Sequence, residues 1–497
     1  MKKALLSSFL ILLLVMGAIP AHAAEDVKPV KEEIIYSIVL DRFSNGDQSL
    51  DEQLDLEDPA TYHGGDFQGV IDKLDAIKSR GFTTISLSPV MANGPRGFHG
   101  YWIEDFFKVE EQFGNLDDLK RLVKEAHDRD IKVVFEFVTN YVGTSHPMLD
   151  DPAKTNWVEQ TTGTDSLWLE EAVELNQENP EVKDMLFEAA TYWLKEVNID
   201  GYKLHAIEQS SPSFLKDFVD HIKSVKSDAY VLGGVLEDNK LSDEYLDIGI
   251  PVIEYTPVQE SIVNVFTNVG TPVKNIYETW QATGEREGLL YVDNAYTDRF
   301  TRKIVEGNLN PQTTWKLALA YLYTAPGVPL VFQGSEIPMD GNTTEEVLRM
   351  VQFNSGDAIV KDFMEKISAI RTQFPVFSYG DFKLVDTNGA LSVFSRTYKD
   401  ETVYMAFNNG KETKSVSVKD VPEGMQLSGL LGDYIVRENT QEEYKITMDR
   451  ETVEVFILEE NKGLNWLFIS MVVGIFAVFV ISIMILSYKQ RKRERKN

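Results

Sequence analysis

The sequence predicts an α/β protein, a (β/α)8 TIM barrel or a doubly wound sheet, followed by a small antiparallel β-domain and one membrane-spanning helix. Three observations carry this. Eight short apolar runs alternate with helix-like stretches up to about residue 378. Beyond about Gly380 the helical period gives way to residue-by-residue alternation broken by turn residues. From Trp466 to Leu486, 21 residues carry no charge.

The elements follow in order. Lys2 and Lys3 precede an apolar run from Ala4 to Ile19 and an Ala21-His22-Ala23 end, so residues 1–24 are expected to be a cleaved signal peptide. The strand-like runs are IIYSIVL (34–40), FTTISLSPV (82–90), IKVVFEFV (131–138), GYKLHA (201–206), YVLGGVL (230–236), GIPVIEY (249–255), LLYVDN (289–294) and VPLVF (328–332). Between them, Gly69–Ser79, Leu116–Asp128, Pro180–Val197 and Ser213–Val225 show helical spacing. These elements span a domain over 25–378, with a Pro-, Asp- and Thr-rich excursion at about 143–175. The alternation alone leaves the barrel and the doubly wound sheet both open. A β-domain over 379–460 comes next, then a transmembrane helix at 464–488 and a basic tail at 489–497. The tail cations place that end in the cytoplasm by the positive-inside bias, giving a single-pass type I protein of the cell membrane with an extracellular body.

The whole chain carries −29. Without the two leader lysines and the tail's six cations and one acid, 41 basic and 77 acidic residues remain, a net −36. Such a body repels nucleic acid and anionic lipid. There is no cysteine, and the seven histidines lack zinc-binding spacing.

Ten motifs occur in a fixed order: Asp41-Arg42-Phe43, HGGDFQGV (63–70), GFTTISLSPV (81–90), FHGYWIEDFF (98–107), FGNLDDLKRLV (113–123), LNQENPEV (175–182), GYKLHA (201–206), YVDN (291–294), APGVPLVFQGSE (325–336) and IRTQFPVFSYG (370–380). Together, over about residues 33–410, they make the chain resemble the alpha-amylase superfamily, glycoside hydrolase family 13. The resemblance implies the barrel rather than the doubly wound sheet. It also implies three catalytic acids, and each of those positions holds something else. The nucleophile position is His205, the acid/base position is Gly234 and the third acid is Tyr296. The family's Arg two residues before the nucleophile is Lys203, its Lys-His pair is Glu208-Gln209, and two sugar-binding histidines are Tyr141 and Ala295.

A retaining glycosidase needs two carboxyl groups about 5–5.5 Å apart. The resemblance therefore implies a catalytically inactive alpha-amylase-like protein, a pseudoenzyme. It would bind an alpha-glucan or scaffold a membrane or cell-envelope protein partner, such as a transporter. The alternative is an active or altered alpha-glucan-hydrolysing glycosidase of carbohydrate metabolism, with Glu136, Glu208, Glu237, Asp238 or Asp293 standing in near the rim. His99, Tyr101, Trp102 and Asp293 match the family's sugar-contacting stretches. Two calcium sites are implied by the same likeness: Asn140, Glu174 and Gln209 at one, and Asn45, Asp47, Asp51, Gly64 and Asp66 at the other.

Overall fold

The computed structural model describes residues 29–494 except 160–169, 237–244, 246–247, 357, 420, 433, 462 and 464–465. The expected signal peptide, Glu237 and Asp238 lie outside the described residues. Eight parallel strands form the barrel: β1 (Ile35–Ile38), β2 (Thr84–Leu87), β3 (Lys132–Phe137), β4 (Gly201–Leu204), β5 (Tyr230–Gly233), β6 (Val252–Ile253), β7 (Leu289–Leu290) and β8 (Val328–Phe332). Their order is β6-β5-β4-β3-β2-β1-β8-β7. A parallel bridge from Glu254 to Leu289 links the two ends, so the ring is nearly closed. The barrel reading is borne out and the doubly wound sheet is not.

Each strand appears within the apolar run that predicts it, but β6 and β7 keep only two residues on the ladder. Ile250, Glu254 and residues 291–294 of these runs are buried but lie outside the ladder, which hydrophobicity cannot distinguish from strand. Helix starts carry the expected polar caps. Asn115 closes a capping box on Leu116–His127. Asn179 and Ser211 cap Pro180–Glu196 and Pro212–Val225, each with proline in the first turn. The helix expected over 69–79 is two pieces, Phe67–Ile71 and Leu74–Ser79, because Asp66 caps Gly69 and starts the turn early.

After β3 the chain leaves the barrel and returns through an antiparallel pair, Tyr141–Gly143 with Ala172–Glu174. Past the barrel, six antiparallel strands form a second sheet in the order Lys383–Asn388, Leu391–Tyr398, Glu401–Asn408, Thr452–Glu460, Met425–Gly429, Ile435–Arg437. A two-stranded sheet, Lys414–Val418 with Tyr444–Met448, covers it. One exposed helix, Trp466–Glu494, contains a stretch from Ile469 to Arg493 long and apolar enough to cross a membrane.

Candidate active site

In a parallel barrel all strands finish at one rim, where side chains from separate strands meet. His205 follows β4 and its N–H donates to Phe137 O of β3 (3.0 Å). Gly234 follows β5 and its N–H donates to Leu204 O (2.8 Å), so the two positions sit on adjacent rungs. Tyr296 lies in the loop after β7, where Asn294 Oδ1 accepts its N–H (2.9 Å).

The carboxylate of Glu136, near the end of β3, organises the centre. Its Oε1 is 2.9 Å from His205 Nδ1. A carboxylate only accepts, so the imidazole proton sits on Nδ1. The Tyr296 hydroxyl is 3.4 Å from the same oxygen and 3.3 Å from Nδ1, and donates to the Tyr101 hydroxyl at 2.6 Å. The Tyr101 ring lies on His205, with centroids 4.4 Å apart. His205 is 1% exposed and Tyr101 2%. Tyr101, which the resemblance implies as a sugar contact, is thus packed on His205.

The second half of the centre is ionic. Lys203 Nζ is 2.9 Å from Glu254 Oε1 and 4.0 Å from Glu136 Oε2, all three residues being buried. A Cβ built on Gly234 would lie 3.2 Å from Lys203 Cε and 3.5 Å from its Nζ. The lysine therefore occupies the space beside a position that has no side chain. Burial opposes ionisation of Glu136, but Lys203 and then His205 outweigh it and hold its pKa at about 2. Burial likewise opposes charge on Lys203, and Glu136 and Glu254 hold its ammonium above the usual range. Burial, then the charge of Glu136, raises the Tyr101 and Tyr296 phenols, which remain protonated.

The other predicted residues fall as follows. His99 is fully buried; its Nδ1 accepts the N–H of Tyr101 (3.1 Å), and burial lowers its pKa to about 3, so it is neutral. Trp102 packs edge-on against His99, 4.5 Å between centroids, and lines a cleft at the rim. Asp293, next to last in LLYVDN, is held elsewhere, by Phe300 N (2.9 Å) and Ser335 Oγ (3.0 Å). Glu208 accepts Leu236 N (3.1 Å). Glu254 and its pairing with Lys203 were not foreseen; the available signal was an acid closing an apolar strand run.

The residues implied for calcium gather as turns. Asn140 donates to Ala206 O (2.8 Å) and accepts from Thr139 Oγ1 (2.8 Å), so it pins the left-handed Ala206 (φ 45°) that follows His205. Glu174 lies on the returning strand opposite Tyr141, and Gln209 ends a 3-10 turn. In the amino-terminal loop, Asn45 donates to Asp51 (2.9 Å) beside Gly64, whose φ of 91° and lack of room for a Cβ require glycine. Asp47 caps Ser49, and Asp66 accepts the N–H groups of Gly46, Asp47 and Gly69. Among the described residues no group of three His, Cys, Asp or Glu is arranged to hold a metal. In the amino-terminal loop the oxygens of Asp47, Asp51 and Asp66 accept N–H groups, and at the other site Asn140 Oδ1 accepts a hydroxyl.

A parallel eight-stranded barrel with ionisable groups gathered on its C-terminal rim, joined to a C-terminal β-domain, belongs to the class of TIM-barrel proteins that build their sites on that rim. Residues 37–165 and 157–376 match the family described as "Alpha amylase, catalytic domain", and 380–456 match "Alpha-amylase C-terminal domain". The chain belongs to the alpha-amylase family. It is 27% identical over 420 residues to a cyclomaltodextrinase of Thermoanaerobacter pseudethanolicus, covering 78% of this chain and 72% of that one. It is 28% identical to neopullulanase 2 of Thermoactinomyces vulgaris, covering 79% and 72%. Among solved structures, an Anoxybacillus alpha-amylase superposes with a TM-score of 0.84 at 40% identity, covering 88% of this chain and 100% of that one. The alpha-amylase of Geobacillus thermoleovorans, complexed with acarbose, gives 0.81 at 37% identity, with the same coverage.

Proposed function

We propose that this chain is a membrane-anchored member of the alpha-amylase family that has lost glycoside hydrolysis and binds an α-glucan at the outer face of the membrane. The observation that carries the reading is the replacement of three family acid positions by His205, Gly234 and Tyr296, with the chain's own groups packed into the space between them. Covalent catalysis at the anomeric carbon needs a carboxylate that reaches it and an acid on the other side of the bond. His205 is buried under Tyr101, and the group beside Gly234 is an ammonium. A cation on that side of the bond would repel an oxocarbenium-like transition state in the place where a glycosidase sets its acid. Of the family's sugar-contacting stretch, Trp102 still lines a cleft at the rim, while His99 and Tyr101 are buried. Outward orientation is supported by the cations that follow the apolar helix.

A second reading has its own support. The relatives named above are hydrolases, and Glu136, Glu254 and Asp293 are carboxylates near the rim that an altered glycosidase could recruit. The full chain in detergent micelles, incubated with maltoheptaose and followed by chromatography of the products, separates the two. The proposal expects maltoheptaose to be recovered intact and retained by immobilised protein. Shorter maltooligosaccharides, formed by the unaltered chain and not by Glu136→Gln or Asp293→Asn, would establish the altered glycosidase instead.

A further inference from the structure

The helix Pro180–Glu196 buries Leu186, Ala189, Trp193 and Leu194 against the barrel. A helix packed in this way is expected to show water a polar face. This one does not. Asp184, Phe187, Glu188, Thr191, Tyr192 and Lys195 stand at i, i+3, i+4, i+7, i+8 and i+11, so two aromatic rings lie among the charges of one outer stripe. Its neighbours turn the stripe into a groove of about 590 Å³. On one side Trp193 Nε1 donates to Phe106 O (2.9 Å) and fixes the strand Ile103–Val109, whose alternation sends Phe106 inward and Phe107 outward. On the other side His221, of the helix Pro212–Val225, stacks on Phe187 with ring centroids 4.5 Å apart. The rings are accessible. Phe107 is 37% exposed, and Phe187, Tyr192 and His221 are half-buried.

The lining selects its occupant by chemistry. Thr191 Oγ1 donates to Phe187 O (2.9 Å) and lies 2.8 Å from His221 Nε2, so the hydroxyl and the imidazole of the groove already have partners. A hydroxyl-rich ligand would find little here to bond. Asp184, Glu188 and Glu196 set three carboxylates against the one ammonium of Lys195. That balance opposes anionic lipid or any acidic partner. It also opposes a second copy of the chain meeting this face across a two-fold axis, since acids would then face acids. From Asp184 to Glu196 the stripe runs about 18 Å at 1.5 Å per residue, longer than a small organic cation and close to three turns of a helix. We infer that this groove docks a helical segment of a partner protein, apolar along one side and flanked by lysine or arginine. The apolar side covers Phe107, Phe187 and Tyr192, and the flanking cations meet Asp184 and Glu188. This docking is independent of glucan binding.

The test uses the full chain in phosphatidylcholine nanodiscs and a fluorescent amphipathic peptide of leucine and lysine, about 14 residues long. Binding is read by anisotropy against empty nanodiscs. The expected result is saturable binding by the unaltered chain and at least a fivefold rise in Kd in Phe107→Ser and in the double variant Asp184→Lys with Glu188→Lys. A control of equal charge change, Asp400→Lys with Glu423→Lys on exposed positions of the β-domain, should bind within twofold of the unaltered chain. A leucine and glutamate peptide of the same pattern should not bind. The proposal is overturned if the unaltered chain shows no saturable binding, or if both groove variants bind within twofold of it. Equal weakening in the control pair, or equal binding of the glutamate peptide, would overturn it too.

Discussion

Lys203 determines how the centre responds to change. It is the one ammonium set between the carboxylates of Glu136 and Glu254, and all three groups are shielded from water. Removing one partner of a buried ion pair leaves an uncompensated charge and costs about 3–5 kcal/mol. Lys203→Met is therefore expected to lower stability by about that amount, read as a shift in the urea midpoint. Gly234→Glu alone is expected to remain inactive, because the new carboxylate would meet the lysine ammonium before any substrate. Chromatography of maltoheptaose digests checks this. The pH dependence follows from Glu136, whose folded pKa of about 2 lies below an unfolded value of about 4.3. A depressed carboxylate pKa gives stability that is complete above the unfolded value and lost as pH falls through the folded one. Acid melts should show stability declining between about pH 5 and pH 2, with a flatter profile in Glu136→Gln. The three replaced positions were legible because matching residues flank each of them. The Lys203–Glu254 pair was not, since it joins two strands about fifty residues apart and no local pattern records such a contact.

At the scale of elements, hydrophobic period located all eight barrel strands, and helical spacing located Leu116–His127, Pro180–Glu196 and Pro212–Val225. What escaped was where each strand leaves the ladder, which depends on its neighbours. The turn after β4 is one such feature: Asn140, in the bend after β3, holds Ala206 in its left-handed conformation. The likeness implies a calcium ligand there; the Nδ2 of that amide donates to the Ala206 carbonyl. Asn140→Ala removes a buried hydrogen bond and is expected to cost about 1–3 kcal/mol, measured by urea denaturation. The same measurement with and without added calcium should show no stabilisation by the ion, as expected for a site whose oxygens already face N–H groups.

Across the whole molecule, barrel and β-domain are joined by buried polar clamps. Asn409 of the second domain donates to Val265 O (2.7 Å) and Thr271 O (3.0 Å), and Gly270 N donates to Asn409 O (2.7 Å). Arg396 reaches Thr324 O and Phe377 O from inside the interface. Separating the domains would strand these groups, so calorimetry should record one cooperative transition for the two together. At the barrel mouth, Tyr101, Tyr296 and His205 are packed on one another. The central claim, loss of hydrolysis at that mouth, is tested most directly with 4-nitrophenyl α-maltotrioside, whose leaving group needs little help from an acid. The full chain is predicted to release 4-nitrophenol no faster than buffer between pH 4 and pH 9. Saturable release that disappears in Glu136→Gln would contradict the claim.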